Sequence, residues 1–474
     1  MKVIFTILFL LGAVNLCQGR LRPEAIINLE REQNVGLYEK LSYNQYQYWF
    51  SGQLVDHFSP LDNRTFSQRY WVVPDYYDPK SGPVFMYICG EYTCPGVMPE
   101  RQFPIMVAAQ QKALIVVLEH RYYGLSQPLG NDSLKTSNLV YLTVEQALAD
   151  LAYFINWVKG NNTNYAIGAN SKWISLGGSY PGALSAWLRL KYPNLVVGSW
   201  ASSPVIYDIL NFTEFDYQIY LSANKSGPQC PATIQALNKY VEANLYNNGS
   251  NWAQQFKGQF GPDAQQLSNE EFLWYFADTI AETIQYGGRT QLCNLFAKYS
   301  NFNDLWNATV KFIVQNGDPK DYGSYFVGNS TWDPSNDGAR QWNYQCCSQL
   351  GWFQGPGSLQ HAMRSTRVNL TFYQKFCKDS FGVDLWPDTN LINIQYGGKN
   401  IKSSNTVLVN GCEDPWLWAS NINSTIPGVT SYYVNCPDCA HCVELYTPKA
   451  SDSLVLQQIR INIVNNITSW LKNS

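Results

Sequence analysis

Short apolar runs alternate with segments of helical spacing over the first half of the chain. The runs are brief and rich in β-branched residues, which favours strands, and the run at 113–118 is apolar enough to be covered on both faces. Residues 143–158 repeat apolar positions along one helix face, and 183–190 predict another helix. This alternation predicts an α/β fold with a mostly parallel central sheet covered by helices. The predicted strands are 70–73, 83–88, 113–118, 172–176 and 196–201.

The pattern changes in the second half, where a long stretch is helical, rich in Asn and Gln, and poor in strand-like runs. Strand-like runs return at 406–410 and 429–434, and a final helix is predicted over about 453–471. We therefore expect a helical lid domain inserted into one α/β domain. Residues 20 to about 50 have no clear period, and a short propeptide and an extended arm both fit them. The predicted division is 20–207 for the first part of the α/β domain, 208–396 for the lid and 397–474 for the second part.

The chain begins with the features of a secretory signal peptide. Lys2 supplies a positive charge, 3–14 is an apolar run, and the small residues Cys17 and Gly19 precede a predicted cut after Gly19. A membrane span needs about 20 apolar residues, which is more than this run contains. We expect a signal peptide over 1–19 and a mature chain without a membrane span.

Cysteines and glycosylation sequons agree with export. The chain has 12 cysteines, and in an exported protein these point to disulfides. Cys17 leaves with the signal peptide, so an odd number remains and at least one thiol has no partner within the chain. The sequence does not decide between an extracellular and a lysosomal location. It also does not decide between a monomer and a homodimer. Sequons begin at Asn63, Asn131, Asn161, Asn211, Asn224, Asn248, Asn307, Asn329, Asn369, Asn423 and Asn466.

Charge and composition exclude some classes of partner. The net charge is -3, and no block of Lys or Arg stands out, so a nucleic acid partner is not expected. No cofactor is predicted. Cys436, Cys439, Cys442 and His441 have spacings that could ligate zinc, but a second CxxC is missing and an exported chain favours disulfides. We therefore predict no metal site.

The sharpest chemical signal is WISLGGSYPG at 173–182, in which a predicted strand enters a Gly-Gly turn, then Ser179, then a helix. This order predicts a nucleophile elbow of the α/β-hydrolase fold, with Pro181 in place of the usual second glycine. Proline fits the first turn of a helix. The Tyr180 N–H at the helix start is the natural first donor to an oxyanion. The loop after strand 83–88 gives the second donor in this fold, so Gly90 and Glu91 are candidates.

A serine nucleophile needs a base, which is most often histidine. In this fold the order along the chain is Ser, acid, His. His57 and His120 precede Ser179, and His361 lies in the predicted lid, which leaves His441 after the last predicted strand. The acid should follow strand 406–410, where Glu413 and Asp414 are both candidates.

Several motifs, in order along nearly the whole mature chain, resemble the serine carboxypeptidase family of prolyl carboxypeptidase, dipeptidyl peptidase 2 and thymus-specific serine protease. The resemblance implies a Ser179–Asp414–His441 triad, selects Asp414 over Glu413, and makes Trp416 a wall of the pocket for the residue before the cut. It also implies a lid that favours short or unfolded peptides. The motifs are GSY (178–180) with Leu184, AW (186–187), Arg189 and KYP (191–193), EHRYYGLS (119–126), DHF (56–58) with QRYW (68–71), ASSPV (201–205), and NG (410–411) with DPW (414–416).

Within the family, the resemblance is closest to the thymus-specific type, because Cys442 follows His441. In prolyl carboxypeptidase a second histidine that binds substrate follows the catalytic one, so carboxypeptidase behaviour is not carried over to this chain. Cleavage after proline is the family default. There are two alternative hypotheses to a peptidase. One is a secreted esterase or lipase on the same fold, and the other is a binding protein on an inactive hydrolase scaffold.

Other residues carry structural expectations. Cys412 is a predicted disulfide partner for the cysteine-rich loop around His441. Cys346 and Cys347 are adjacent and should pair elsewhere, one of them with Cys377. The segment 119–121 after the strongest strand is expected to be a buried ionic cluster more than a substrate contact.

Overall fold

The computed structural model describes residues 41–161, 165–247, 249–334 and 338–474. Within these residues the strands form one eight-stranded sheet in the order β1-β2-β4-β3-β5-β6-β7-β8. β1 and β2 pair antiparallel, as do β2 and β4, and every other pair is parallel. The α/β fold with a mostly parallel sheet is confirmed. The strands are β1 (Tyr46–Leu54), β2 (Thr65–Val73), β3 (Val84–Ile88), β4 (Leu114–Leu118), β5 (Trp173–Gly178), β6 (Gly198–Ser202), β7 (Thr406–Gly411) and β8 (Val429–Val434).

Helices cover both faces of the sheet. One face of β3 and β4 packs against α2 (Val144–Asn161) and α3 (Tyr180–Lys191), and the other packs against α1 (Phe103–Gln111) and the C-terminal helix. Because both faces are covered, every residue of β3, β4 and β5 is buried, which explains their nearly continuous apolar sequences.

Between β6 and β7 the regular elements of the described chain are helices joined by loops, with one isolated bridge between Asn211 and Phe353. The predicted lid range, 208–396, falls within this insertion, and the buried aromatic residues of its helices are continuous with the core on one face of the sheet. The helices are α4 (Thr213–Asn224), α5 (Gln229–Tyr246), α6 (Ser250–Gly258), α7 (Pro262–Gln266), α8 (Asn269–Gln285), α9 (Arg289–Ala297), α10 (Phe302–Asn316), α11 (Ser324–Val327), α12 (Ala339–Gln345), α13 (Leu370–Phe381) and α14 (Thr389–Tyr396), and α15 (Leu454–Asn473) follows β8.

The cysteine predictions are correct in part. Cys347 is disulfide-bonded to Cys377, as expected. The predicted bridge from Cys412 to the loop around His441 is wrong, because Cys436 and Cys439 close a short turn with each other. Cys412 is a buried thiol whose sulfur lies 3.2 Å from the Cys436 carbonyl oxygen. The remaining disulfides among the described residues are Cys89–Cys94 and Cys230–Cys293.

The structure describes some of the predicted export signals and not others. The predicted signal peptide, 1–19, lies outside the described residues, and so do Asn248 and the side chain of Asn161. Asn466 is partly buried and donates to the Tyr432 hydroxyl at 2.8 Å. No helix of the described residues is long and apolar enough to cross a membrane. The exposed sequon asparagines are Asn63, Asn131, Asn211, Asn224, Asn307, Asn329, Asn369 and Asn423, and their glycosylation stays a prediction.

The segment after β4 forms buried ion pairs, in line with its expected structural role. Glu119 pairs with Arg69 and accepts hydrogen bonds from the Ser126 side chain and backbone. Arg121 pairs with Asp150, and its guanidinium also donates to three backbone carbonyls. His57 contacts the same Asp150 carboxylate at 2.8 Å. These groups fasten the loops beside β1 and β2 onto α2.

Replacing Arg121 by methionine is expected to lower the free energy of unfolding by about 3–5 kcal/mol, because the Asp150 carboxylate stays buried without its guanidinium. Urea unfolding measures this loss. Lys135→Met is the control, since the Lys135–Asp132 pair is exposed and should contribute less than about 1 kcal/mol. Equal effects of the two substitutions would contradict a stabilising role for the buried cluster.

Candidate active site

Ser179 occupies a sharp turn between β5 and α3. Its backbone has φ 67° and ψ -130°, a strained conformation for a residue with a side chain. The turn closes tightly because Gly177 lacks a side chain: a Cβ there would lie 2.4 Å from the Pro181 carbonyl oxygen. Pro181 stands in the first turn of α3, where its missing N–H costs no hydrogen bond. The local structure is that of the predicted elbow.

Asp414 and His441 are brought together at the ends of β7 and β8. His441 Nδ1 lies 2.8 Å from Asp414 Oδ2, and both side chains are buried. Asp414 Oδ1 accepts the backbone N–H of Trp416 at 2.9 Å, which fixes the carboxylate plane. The two loops can approach because Gly411 has no side chain: a Cβ there would lie 2.2 Å from the Ala440 carbonyl oxygen.

The elbow and the histidine loop meet at the same edge of the sheet. Cys442, next to His441, donates its backbone N–H to Ser203 Oγ at 2.8 Å. A Cβ on Gly178, next to Ser179, would lie 2.8 Å from the Cys442 sulfur. The strands β5 to β8 are parallel neighbours, so their carboxyl ends deliver all three predicted triad residues to one edge. His441 Nε2 is buried and has no hydrogen-bond partner among the described residues.

Glu413, the other candidate acid, contacts cationic side chains of the helical insertion. Its carboxylate pairs with Arg289 of α9 at 2.9 Å and lies 3.4 Å from Lys225 Nζ. It also accepts the backbone N–H of Asp438 at 3.0 Å. Glu413 therefore ties the acid loop and the histidine loop to the helical insertion, whereas Asp414 is the carboxylate that contacts His441.

The electrostatics of His441 are set by opposing effects. Burial alone would lower its pKa, but the Asp414 carboxylate at Nδ1 and the neighbouring Cys442 stabilise the imidazolium. The net effect places the pKa of His441 well above its usual value of 6.5. A histidine held this way is a strong base once it is neutral.

The candidate oxyanion residues lie around the elbow. Tyr180 is the first residue of α3, so its N–H belongs to a helix start. Gly90 packs on the elbow, because a Cβ there would lie 2.4 Å from Pro181 Cγ. Glu91 lines the same cavity as Ser179. Their roles as donors to an oxyanion stay predictions.

A buried polar network holds the Tyr180 side chain under the elbow. His120 Nε2 lies 3.1 Å from the Tyr180 hydroxyl, and Gln345 Nε2 donates to the same oxygen at 3.0 Å. Tyr123 donates to Gln345 Oε1 at 2.6 Å. Burial lowers the pKa of His120 to about 4, so its ring is neutral near pH 7. The network joins the loop after β4, the elbow and the helical insertion.

An aromatic cavity opens at Ser179. Trp416 lines it and donates its indole N–H to Gln285 Oε1 at 2.8 Å. The rings of Phe215 and Trp352 pack against Trp416, with centroids 5.3 Å and 5.9 Å away. Trp342 and Val205 complete this apolar part of the wall. The predicted pocket residue Trp416 is therefore in the cavity that Ser179 lines.

A family profile described as serine carboxypeptidase S28 matches residues 53–463. This chain is a member of the serine carboxypeptidase S28 family. It is similar to the probable serine protease EDA2 of Arabidopsis thaliana, with 34% identity covering 89% of this chain and 88% of that protein. The thymus-specific serine protease of Homo sapiens is 28% identical, covering 89% of this chain and 86% of that protein, and the lysosomal Pro-X carboxypeptidase of Bos taurus is 29% identical, covering 90% and 89%. These nearly equal identities do not show whether the chain is more similar to the thymus-specific type or to the Pro-X carboxypeptidase type.

Family membership makes this S28 chain a serine-type peptidase, as the sequence predicted. The family match and the names of these relatives do not support the esterase hypothesis or the binding-protein hypothesis. The match runs from β1 into α15 and so includes the sheet, the insertion and all three predicted triad residues.

Sequence reasoning missed the residues that the insertion contributes to this S28 site. Gln285 ends α8, accepts the His441 backbone N–H on its carbonyl at 2.8 Å, and contacts Trp416 through its side chain. The Tyr286 ring packs edge-on against the imidazole, with centroids 5.8 Å apart. The helical spacing of α8 predicts a buried face but gives no sign of what that face meets.

Proposed function

We propose that Ser179, His441 and Asp414 form the catalytic triad of this S28 peptidase. The observation that carries the proposal is the 2.8 Å contact between His441 Nδ1 and Asp414, which leaves a buried Nε2 at the sheet edge where Ser179 lines a cavity. A base needs one ring nitrogen fixed by an acceptor and the other directed to the nucleophile.

The hydrolysis proceeds in two halves. Ser179 Oγ attacks the scissile carbonyl carbon while His441 Nε2 takes the hydroxyl proton, and that proton passes to the leaving amine as the C–N bond breaks. Water then attacks the acyl-enzyme, giving a proton to His441 that returns to Ser179 Oγ on release of the acid. Asp414 keeps the imidazole in the productive tautomer and stabilises its cation.

The developing oxyanion would be stabilised by the Tyr180 N–H together with a backbone N–H of Gly90 or Glu91. Gly90 packs on Pro181, so the loop after β3 is held against the elbow without a side chain between them. Preorganised donors of this kind each contribute about 10²–10³-fold to turnover.

The substrates we propose are short peptides cut after proline or another compact apolar residue. The wall of Trp342, Trp352 and Trp416 near Ser179 offers flat apolar faces to such a ring. The helical insertion, which we propose as a lid, would exclude folded proteins. Relatives from Bos taurus and Homo sapiens are named lysosomal Pro-X carboxypeptidase, which together with the predicted signal peptide and sequons supports a place in the secretory pathway.

A fluorophosphonate probe tests the proposed nucleophile. We expect a single adduct, located on Ser179 by peptide mapping, because only a serine beside a fixed base reacts with such probes. Labelling should fall when a short proline-containing peptide competes for the cavity. A folded protein that carries no adduct, or an adduct on a different serine, would overturn the proposal.

A further inference from the structure

Three residues at the edge of the sheet that carries the site have left-handed backbone conformations. Ser179 after β5 has φ 67°, Ser203 after β6 has φ 41°, and Cys442, which lies beyond β8, has φ 56°. Positive φ values favour glycine, and a residue with a side chain keeps such a conformation only where the surrounding structure holds it. The side chain at such a position is therefore a candidate for a role that glycine could not fill. Ser179 is the proposed nucleophile, whereas Ser203 and Cys442 contact each other.

Ser203 fixes the backbone of the residue that follows the histidine. Its hydroxyl accepts the Cys442 N–H at 2.8 Å, and its own N–H donates to the Val409 carbonyl of β7 at 2.6 Å. Ser203 is 2% exposed and Cys442 is 1% exposed, so the Cys442 N–H would be left buried without this acceptor. Glycine would adopt the same backbone without strain but would offer no hydroxyl. The bond to Cys442 therefore explains why a serine stands at this strained position.

The preceding residue, Ser202, holds the backbone of the proposed nucleophile. Its carbonyl oxygen accepts the Ser179 N–H at 2.9 Å. The Cys442 sulfur lies 3.9 Å from the same oxygen, and a Cβ on Gly178 would lie 2.8 Å from that sulfur. The pair Ser202 and Ser203 thus binds the Ser179 backbone through a carbonyl and the Cys442 backbone through a hydroxyl.

The distance between base and nucleophile depends on how the histidine loop is anchored. His441 Nδ1 is held by Asp414, and the His441 N–H donates to the Gln285 carbonyl of α8 at 2.8 Å. The bond from Cys442 to Ser203 fastens the same loop to the end of β6, which pairs with β5. A general base has to lie about 2.6–3.2 Å from the group whose proton it takes, and a displacement of about 1 Å can lower the rate by about 10²-fold.

We propose that Ser203 is a positioning residue of this peptidase, which holds His441 at the distance from Ser179 Oγ that proton transfer needs. Ser203 acts through Cys442, because it is not among the described residues that line the cavity with Ser179. The proposal rests on the function proposed above and adds a residue to its machinery. A serine that only stabilised the fold would leave the turnover of the folded protein unchanged.

Ser203→Gly tests this role, because it removes the hydroxyl and at the same time suits the positive φ. The relieved strain opposes the loss of the hydrogen bond, so the variant should stay folded, which urea unfolding checks. Hydrolysis of a quenched proline-containing peptide should then show kcat lowered by about 10–100-fold, with KM within about twofold of the wild-type value. Fluorophosphonate labelling of Ser179 should slow by a similar factor, since it also depends on the position of His441.

Asn405→Gly is the matched control for this substitution. Asn405 also has a positive φ, 49°, and its side chain donates to the Val197 carbonyl at 2.8 Å. It directly precedes β7, so it lies at the opposite end of the strand from the site. This variant should keep the wild-type kcat and KM. Ser203→Ala, which keeps the strained backbone and lacks the hydroxyl, should lose kcat to the same extent as Ser203→Gly.

The outcomes separate this proposal from the function on which it rests. Wild-type kcat in a folded Ser203→Gly or Ser203→Ala protein, or a loss expressed in KM alone, would overturn the positioning role while the Ser179 adduct of the wild-type protein still supported the nucleophile. Failure of both variants to fold would make Ser203 a purely structural residue and would also overturn the proposal. A wild-type protein without an adduct on Ser179 would overturn the proposed function itself.

Discussion

Ser179→Ala is expected to lower kcat for peptide hydrolysis by at least about 10⁴-fold, because the proposed acyl-enzyme forms on the Ser179 hydroxyl. The residual rate would come from peptide binding and oxyanion stabilisation. Steady-state hydrolysis of a quenched proline-containing peptide measures the loss. The structure predicts little loss of stability, since the turn at Ser179 is set by its backbone and by the neighbouring glycines more than by the hydroxyl.

The control for this substitution is Ser81→Ala. Ser81 is exposed and precedes β3, whereas the site lies at the carboxyl ends of the strands, so activity should stay at the wild-type level. A Ser179→Ala protein that keeps more than about a tenth of the wild-type kcat, where a 10⁴-fold loss is expected, would show that a different residue attacks the peptide.

The central strands β3, β4 and β5 were predictable because they are buried on both faces and are therefore largely apolar. β1 was not predicted, because its sequence mixes polar and apolar residues without a regular alternation. It also falls partly in the stretch that fitted a propeptide or an arm.

The triad candidates were predictable because the order of strands fixes where each side chain emerges. Ser179, Asp414 and His441 follow β5, β7 and β8, and parallel strands place their carboxyl ends at one edge. The choice of Asp414 over Glu413 needed the family resemblance or the geometry, since both follow β7. Arg289 explains the difference, because it engages Glu413 and leaves Asp414 to His441.

Contacts between the insertion and the sheet were not predictable, because they depend on how the helices dock. Gln285 is one such case: its carbonyl binds the His441 loop while its side chain binds Trp416. The error at Cys412 has a similar origin, since Cys436 pairs with the nearby Cys439 and Cys412 lies against Lys225 of the insertion. Sequence spacing indicates which cysteines could form a disulfide, but the packing of the folded chain determines which of them do.

The insertion consequently lines the cavity and also contacts the His441 loop. Its helix α8 contacts the His441 backbone through the Gln285 carbonyl, and the same helix places Asp278 and Glu282 in the cavity wall. Gln345 reaches the Tyr180 hydroxyl from α12. A shift of these helices would therefore change the shape of the cavity and the position of His441 together.

Asp414→Asn is expected to lower kcat by about 10⁴-fold while the protein stays folded. The asparagine oxygen can still accept the Trp416 N–H, as Asp414 Oδ1 does. Its amide NH₂ would then face His441 Nδ1 and force the proton onto Nε2, the nitrogen that has to accept the Ser179 proton. Asp438→Asn in the histidine loop is the control, because Asp438 binds Arg289 and Thr290 instead and its loss should cost less than about tenfold.

The pH dependence of kcat/KM is a second measurement that tests this prediction. A purely structural defect would lower activity without shifting this dependence. The neutral imidazole is the base, so kcat/KM of the wild-type protein should rise with pH through the pKa of His441, which Asp414 helps to hold above 6.5. Without the carboxylate, burial is left to lower the pKa, and the acidic limb of the residual activity should move to lower pH. An acidic limb that stays in place in the Asp414→Asn protein would mean that a group other than His441 sets the pH dependence.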